Sequence, residues 1–441
     1  MKTNVPVNHI YTHEGAVAKH INVEQQLRRS VMSCLLWEAQ FYEDGVAIAD
    51  RIAQIIPKVG TKKVAAIAIE AREKMKLRHM PLLIVREMAR IESHKRLVSE
   101  TLSRVIQRPD ELSEFCAIYW KEARQPLSAQ VKKGLAAAFG KFNEYSLSKY
   151  DRDGRVKLRD VLFLCHAKPK DKEQDELWKR LIDGKLAVPD TWEVSLSGGN
   201  DISKKDKWER LLKENKLGAL ALLRNLRNME QENVDMSLVK TALQEIKTER
   251  VLPFRFIAAA QHAPQLEPEL EAGMLKCLAI HEKLPGKTVL MVDISGSMDS
   301  QLSDRSQMRR FDAACGLAML LREICDDVEI FSFSYSEVRV PPRRGFALRD
   351  AIVNSQEMDG TYLGRSISSV MNSVSGIDRI IVITDEQSHD RVPDPVCKAA
   401  YMVNVASYKN GIGYGAWTHI DGWSEAIIAY IQNLELSTNE Q

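Results

Sequence analysis

One stretch of this 441-residue sequence has residue types and spacing that can do chemistry. In KTVLMVDISGSMDS, residues 287–300, an apolar run ends in Asp293, Ser295 and Ser297. Alternation by two is strand spacing, but Gly296 and the polarity of the triplet say that the strand has stopped. Oxygen-bearing side chains therefore gather just past a strand's carboxyl end, where open α/β sheets place their ligand sites. Two more loops match: DGTYLG puts Thr361 ahead of a helical pattern, and IIVITDEQS ends a buried strand at Asp385. Carboxylate and hydroxyl oxygens without Cys or His suit a hard divalent cation, Mg²⁺ first. Taken alone, D-x-S-G-S also fits a capped turn opening a helix. Thr361 and Asp385, in order at strand ends, favour the metal site. Such a site binds; no general base, activated nucleophile or phosphate-cradling loop accompanies it, so no enzymatic activity is expected. A nuclease is further disfavoured because one hydroxyl-rich site is unlike a two-metal carboxylate cluster.

The elements that must position these residues follow from periodicity. After Pro285, KTVLMVDIS, DVEIFSFS, DRIIVITDE and AAYMVNVAS read as short buried strands. FDAACGLAMLLREI, LGRSISSVMNSV and WSEAIIAYIQNL between and after them read as helices. Strand–helix alternation implies a parallel, doubly wound α/β domain over 285–441. Residues 1–284 differ. From about residue 24 the pattern is helical: QQLRRSVMSCLLWEAQFY places Leu27, Val31, Cys34, Leu35 and Ala39 on one face. Further helical runs follow, separated by Pro57–Gly60, Pro81, Pro109 and Pro126. Helices with brief turns and no strands between them predict stacked pairs, an irregular HEAT-like α-solenoid without a fixed-period consensus.

Residues 1–284 carry 48 Lys+Arg against 39 Asp+Glu, and residues 285–441 carry 14 against 21. A basic part joined to an acidic part admits a polyanion partner for the first, and equally the solvated faces of long helices. Around residues 149–170, Lys149, Arg152, Lys168 and further cations lie near Tyr150 and His166. Cations neutralise phosphates, and such rings stack on unpaired bases. A solvated loop is the alternative. DRDG at 151–154 resembles an EF-hand opening, but Leu162 stands where its glutamate belongs, which excludes calcium there. ALLRNLRNM supplies Arg224, Asn225 and Arg227 as a second nucleic-acid candidate, with an ordinary amphipathic helix as its alternative. Arg309, Arg310, Arg343, Arg344 and Arg349 either flank the metal site or pair with acids. The seven cysteines are scattered, odd in number and lack C-x-x-C, so reduced thiols in a cytoplasmic protein are expected. No signal-peptide core and no bilayer-length apolar run is present, so no membrane association is expected.

The metal-site residues resemble the metal-ion-dependent adhesion site of von Willebrand factor A domains, D-x-S-x-S with a distal Thr and Asp. That resemblance implies that Ser295 and Ser297 ligate Mg²⁺ directly, with Thr361, Asp293 and Asp385 direct or through water. YTHEGAVAKH followed by LRRSVMSCLLWEAQFYEDG resembles the opening of the TROVE module of the Ro autoantigen family. SKYDRDGRVKLRDVLFLCHAKP, KWERLLKENKLGALALLRNLRNM and LPFRFIAAA are also similar to that family. A bacterial-type Ro member is the form suggested. Membership implies a HEAT-like helical ring closed by the α/β domain, small noncoding Y RNA on its outer surface, and single-stranded 3′ ends of misfolded RNA in its hole. In bacterial members it also implies association with an exoribonuclease; a monomer is expected. Lys149, Tyr150, Arg152, His166 and Lys168 match the family's RNA-facing positions. The rival expectation is a Mg²⁺-dependent protein-interaction adaptor working through the α/β domain.

Overall fold

The computed structural model describes residues 10–18, 22–32, 45–151, 154–187, 192, 196, 202–248, 251, 253–279, 282–301, 308–397, 399–406, 408–413, 415–422, 427–428, 431–432 and 435. It divides into two compact units. One comprises residues 22–38 and 43–190; the other comprises residues 1–21, 39–42 and 191–441.

Among the described residues the first unit is helical, without strands. Thr61–Glu73, His79–Arg90, Lys95–Val105, Asp110–Tyr119, Ala129–Phe139, Glu144–Tyr150, Leu158–Cys165 and Lys172–Ile182 follow Val23–Met32 and Gly45–Ile55. Helices pack on neighbours one and two along the chain: Lys95–Val105 meets Thr61–Glu73, His79–Arg90 and Ala129–Phe139. That is solenoid packing. Leu27, Val31, Ile48, Val64, Leu83, Val98, Leu135 and Val161 belong to one continuous buried core, as the helical spacing requires. Charged ties link successive pairs at a regular offset. Arg72 donates to Glu111, Arg104 to Glu73 and Arg180 to Glu144, across 39, 31 and 36 residues. The run QVKKGLAAAFGKFNEYSLSKY is two helices; Asn143 caps the second by accepting from Ser146 N at 2.9 Å. Cys34, Leu35 and Ala39 of the expected first helix lie outside the described residues.

The second unit contains a six-stranded sheet in the order β3-β2-β1-β4-β5-β6. The strands are β1 Leu284–Asp293, β2 Cys325–Phe333, β3 Glu337–Arg339, β4 Arg379–Thr384, β5 Ala399–Asn404 and β6 Thr418–Asp421. All pairings are parallel except the β2–β3 edge. Within β1, Val289 and Met291 face one core while Leu290 and Val292 face another. Ile380 and Val382 of β4 join the first core, and Ile381 and Ile383 the second. Apolar runs buried on both faces need cover on both. Leu363, Ile367 and Val370 of helix Leu363–Ser373 cover one face, and Ala314, Leu317 and Leu321 of Arg310–Ile324 the other. The doubly wound expectation is therefore met, with three differences of detail. The edge strands β3 and β6 are too short to signal themselves, Gly345–Val353 is an additional helix, and most of WSEAIIAYIQNL lies outside the described residues.

The change from helix to strand comes at Leu284, but packing divides the chain near residue 190. The helices Lys204–Lys213, Ala219–Gln231, Met236–Gln244, Phe254–His262 and Glu267–Leu278 share one buried core with the sheet. Gly316 shows how closely: a Cβ there would lie 2.5 Å from Phe254 Cε1. Segment 10–18 also belongs to this unit, as a small hairpin bridged at Tyr11 and Val17. No helix among the described residues is long and apolar enough to cross a membrane.

Candidate metal centre and nucleic-acid interface

The order of strands reverses between β1 and β4, which makes this pair the topological switch point. Val292 pairs with Ile383, so Asp293 and Asp385 leave adjacent strands side by side. All five residues read from the sequence come to this edge. Asp293, Ser295, Thr361 and Asp385 are buried, and Ser297 is half-buried. Asp293 Oδ1 accepts from Ser295 N at 2.8 Å, and its Oδ2 accepts from Thr384 Oγ1 at 2.6 Å. Ser295 and Ser297 hydroxyls lie 3.3 Å apart. Asp385 Oδ1 accepts from Gln387 N at 3.1 Å. The DGTYLG loop is brought in by Gly296 N, which donates to Asp359 O at 3.0 Å.

Burial, and then the neighbouring charge of Asp385, push the Asp293 carboxyl up to about 7 despite its hydrogen bonds. Two buried acids side by side repel one another, and a cation between them would relieve both costs. The donor set therefore fits a hard divalent ion: two carboxylates and three hydroxyls, with no soft ligand. Those five residues would hold it, and the ion would supply a Lewis-acidic anchor for an outside carboxylate or phosphate.

Two features of this centre go beyond the five oxygen donors. Arg310 is buried with a guanidinium nitrogen 3.7 Å from Asp385 Oδ2, so of the arginines suspected of flanking the site this one does. Arg309 pairs with Asp299, Arg344 with Glu323, and Arg349 with Asp350 and Glu267. The second feature is the YTHEG segment, which docks on the loop after β4. Thr12 Oγ1 donates to Ser388 O at 2.9 Å across 376 residues, and His13 N donates to Gln387 Oε1 at 2.7 Å. Glu14 pairs with His389 at 3.2 Å, and Asn410 Nδ2 donates to Tyr11 O at 2.8 Å. Ser388 Oγ in turn donates to Thr361 O at 3.3 Å. Nothing local in YTHEG signals a partner so distant in the chain.

In the helical unit, Tyr150 lies beneath the Arg108 guanidinium at 4.6 Å. Burial would lower the Arg108 pKa, but Asp110 and then Tyr150 and Glu111 leave it raised. Lys149 is half-buried beside Tyr150. Arg152 lies outside the described residues. His166 caps helix Leu158–Cys165 in the left-handed conformation, φ 54°, and its Nε2 is 3.4 Å from Lys132 Nζ. Arg159, Phe163 and His166 are all exposed at i, i+4 and i+7 spacing, and Lys168 is exposed beyond them. Phe163 is 59% exposed, an aromatic that the sequence reading missed because its helical spacing could equally have been core. Arg224 and Arg227 are exposed on Ala219–Gln231. Asn225 corrects the sequence expectation: it is buried, its Nδ2 donates to Ala221 O at 2.8 Å, and its Oδ1 accepts from Asn228 at 2.8 Å. Its amide is committed within the helix and is not presented to a base edge.

Comparison with known proteins follows the same outline. A family model described as TROVE domain matches residues 178–309. The crystal structure of the Deinococcus radiodurans RO (RSR) protein superposes with a TM-score of 0.63 at 16% identity, over 93% of this chain and 100% of that one. This chain has the fold of that RO protein. Telomerase protein component 1 of Mus musculus and of Rattus norvegicus are each 36% identical to it over 95 residues, 20% of this chain. The chain spans about 4% of the length of those curated relatives.

Proposed function

We propose that this protein binds RNA without transforming it. Small structured, Y-like noncoding RNA is held on its helices through phosphates and stacked bases, and single-stranded 3′ ends of misfolded RNA are captured alongside. On this reading the protein is a Ro-family member of RNA quality control, or an adaptor for an exoribonuclease. The TROVE match over 178–309 carries the reading. The exposed face of Arg159, Phe163 and His166, with Lys132 and Lys168 beside it, supports it chemically, because cations release counterions and rings accept bases. Reversing charge at Arg159 and Lys168 should weaken binding of a structured RNA with an unpaired tail at least tenfold. Equal binding by the variant, measured by electrophoretic mobility shift, would remove this face from the account.

The paired buried acids favour a second reading, Mg²⁺-dependent capture of an acidic protein by the α/β fold. Replacing Asp293 and Ser295 by Ala should then abolish Mg²⁺-dependent partner capture while leaving RNA-tail binding intact. Loss of tail binding in that variant would contradict the division of labour.

A further inference from the structure

We propose that the unit bearing the sheet carries its own seat for one unpaired RNA nucleotide, with Tyr335 stacking on the base and Arg365 and Arg391 receiving the phosphate. The inference rests on the RNA-binding reading and adds a second, separate contact to it. Tyr335 follows β2 and is 54% exposed. Its ring meets Tyr362 edge-on at 5.1 Å, and the Arg365 guanidinium lies 4.6 Å over Tyr335 and 4.9 Å over Tyr362. Arg365 also donates to the Tyr335 carbonyl. Tyr362 N donates to Ser334 O at 3.0 Å, so the two tyrosines are tied through their backbones as well. On its other side Tyr362 stacks on His389, 15° from parallel. The rings and the cation therefore hold one another in place before any ligand arrives, which lowers the ordering cost of binding.

What this cluster leaves uncovered is chemically specific. Tyr335 presents more than half its surface to water, and Arg365 covers one face of its ring, so a base would stack on the other. Arg365 and Arg391 have no ion-pair partner among the described residues, unlike Arg309, Arg344 and Arg349 of the same unit. They line a groove of about 370 Å³ beside the helix that opens at Leu363. Asp390 is already committed to the Gly364 and Arg365 amides, which leaves Asp394 as the acid lining that groove. An acidic peptide would use the arginines and leave the tyrosine idle. A nucleotide uses both, because it joins a flat apolar face to an anion.

The test uses the full chain and a 12-nucleotide oligouridine carrying 4-thiouridine. Wild type should photo-crosslink within the peptide containing Tyr335 or residues 361–365. Tyr335→Ala and Arg365→Ala should each weaken oligonucleotide binding about tenfold, with unchanged melting temperature, and Tyr335→Phe should retain wild-type binding. If RNA binds all variants equally and crosslinks only elsewhere, the seat is refuted while RNA binding stands. If wild type binds no RNA, the broader reading fails and this one with it. Protection of the patch by oligoglutamate but not by oligouridine would mark a protein-binding surface and overturn the proposal.

Discussion

At the scale of single residues, the burial of Asp293 beside Asp385 has a consequence for pH. With no cation bound, the folded protein holds a proton at Asp293 that the unfolded chain releases near pH 4. Stability from this group therefore falls as pH rises from about 4 to about 7. Because Mg²⁺ bound at the proposed site would compete with that proton, the rise in melting temperature on adding Mg²⁺ should be larger at pH 8 than at pH 6, and absent in Asp293→Ala. A pH-independent Mg²⁺ effect would argue against these ligands. His419 runs the other way. Burial lowers its pKa, but Asp421 and Glu386, each 2.8 Å from a ring nitrogen, hold it up at about 9. Its folded pKa is raised, so its contribution is complete below about pH 6.5 and is lost as pH rises through about 9. His419→Ala should flatten that alkaline limb in thermal melts. The five oxygen donors that meet at this sheet edge were legible in the sequence because oxygen donors at strand ends have a distinctive spacing. Arg310 was only one suspect among several, since no spacing rule says which arginine turns inward.

At the scale of elements, the strands and most helices follow from periodicity, and the exceptions have physical causes. The edge strands β3 and β6 are three and four residues long, too short for an alternation to register. Asn225 sits on the helical face that patterning assigns to apolar residues, and burial accordingly overrode its polar character. Close approach is equally hidden in sequence. A Cβ on Gly364 would collide with the Arg391 carbonyl, so Gly364→Ala must push the start of that helix away from the loop. Thr361, three residues upstream, should move with it, and Mg²⁺ stabilisation should drop in calorimetry while the core stays folded. In the helical unit, Glu111 is fully buried, accepts from Arg72 at 2.6 Å and also accepts from the amides of Gln107 and Arg108. Glu111→Ala strands a buried guanidinium and should cost roughly 3–5 kcal/mol in denaturant unfolding. A loss under about 1 kcal/mol would mean that water replaces the carboxylate.

At the scale of the whole molecule, charge and chain order tell different stories. The acidic 285–441 segment is a sheet with helices on both faces, yet the basic helices just before it share its core, and the hairpin at 10–18 is hydrogen-bonded to the loop after β4. Composition changes where secondary structure changes; compactness follows long-range packing, which one sequence does not display. Both units carry exposed cation–aromatic groupings, at Arg159, Phe163 and His166 in one and at Tyr335 and Arg365 in the other. Polyanion binding is the property proposed for both. Its direct measurement is the equilibrium affinity of the full chain for a structured RNA with a single-stranded 3′ tail, titrated against salt. The account predicts a log–log decline with a slope of several units, about −0.7 to −0.9 for each phosphate neutralised. Absence of binding at 50 mM salt, or an affinity that salt leaves unchanged, would contradict it.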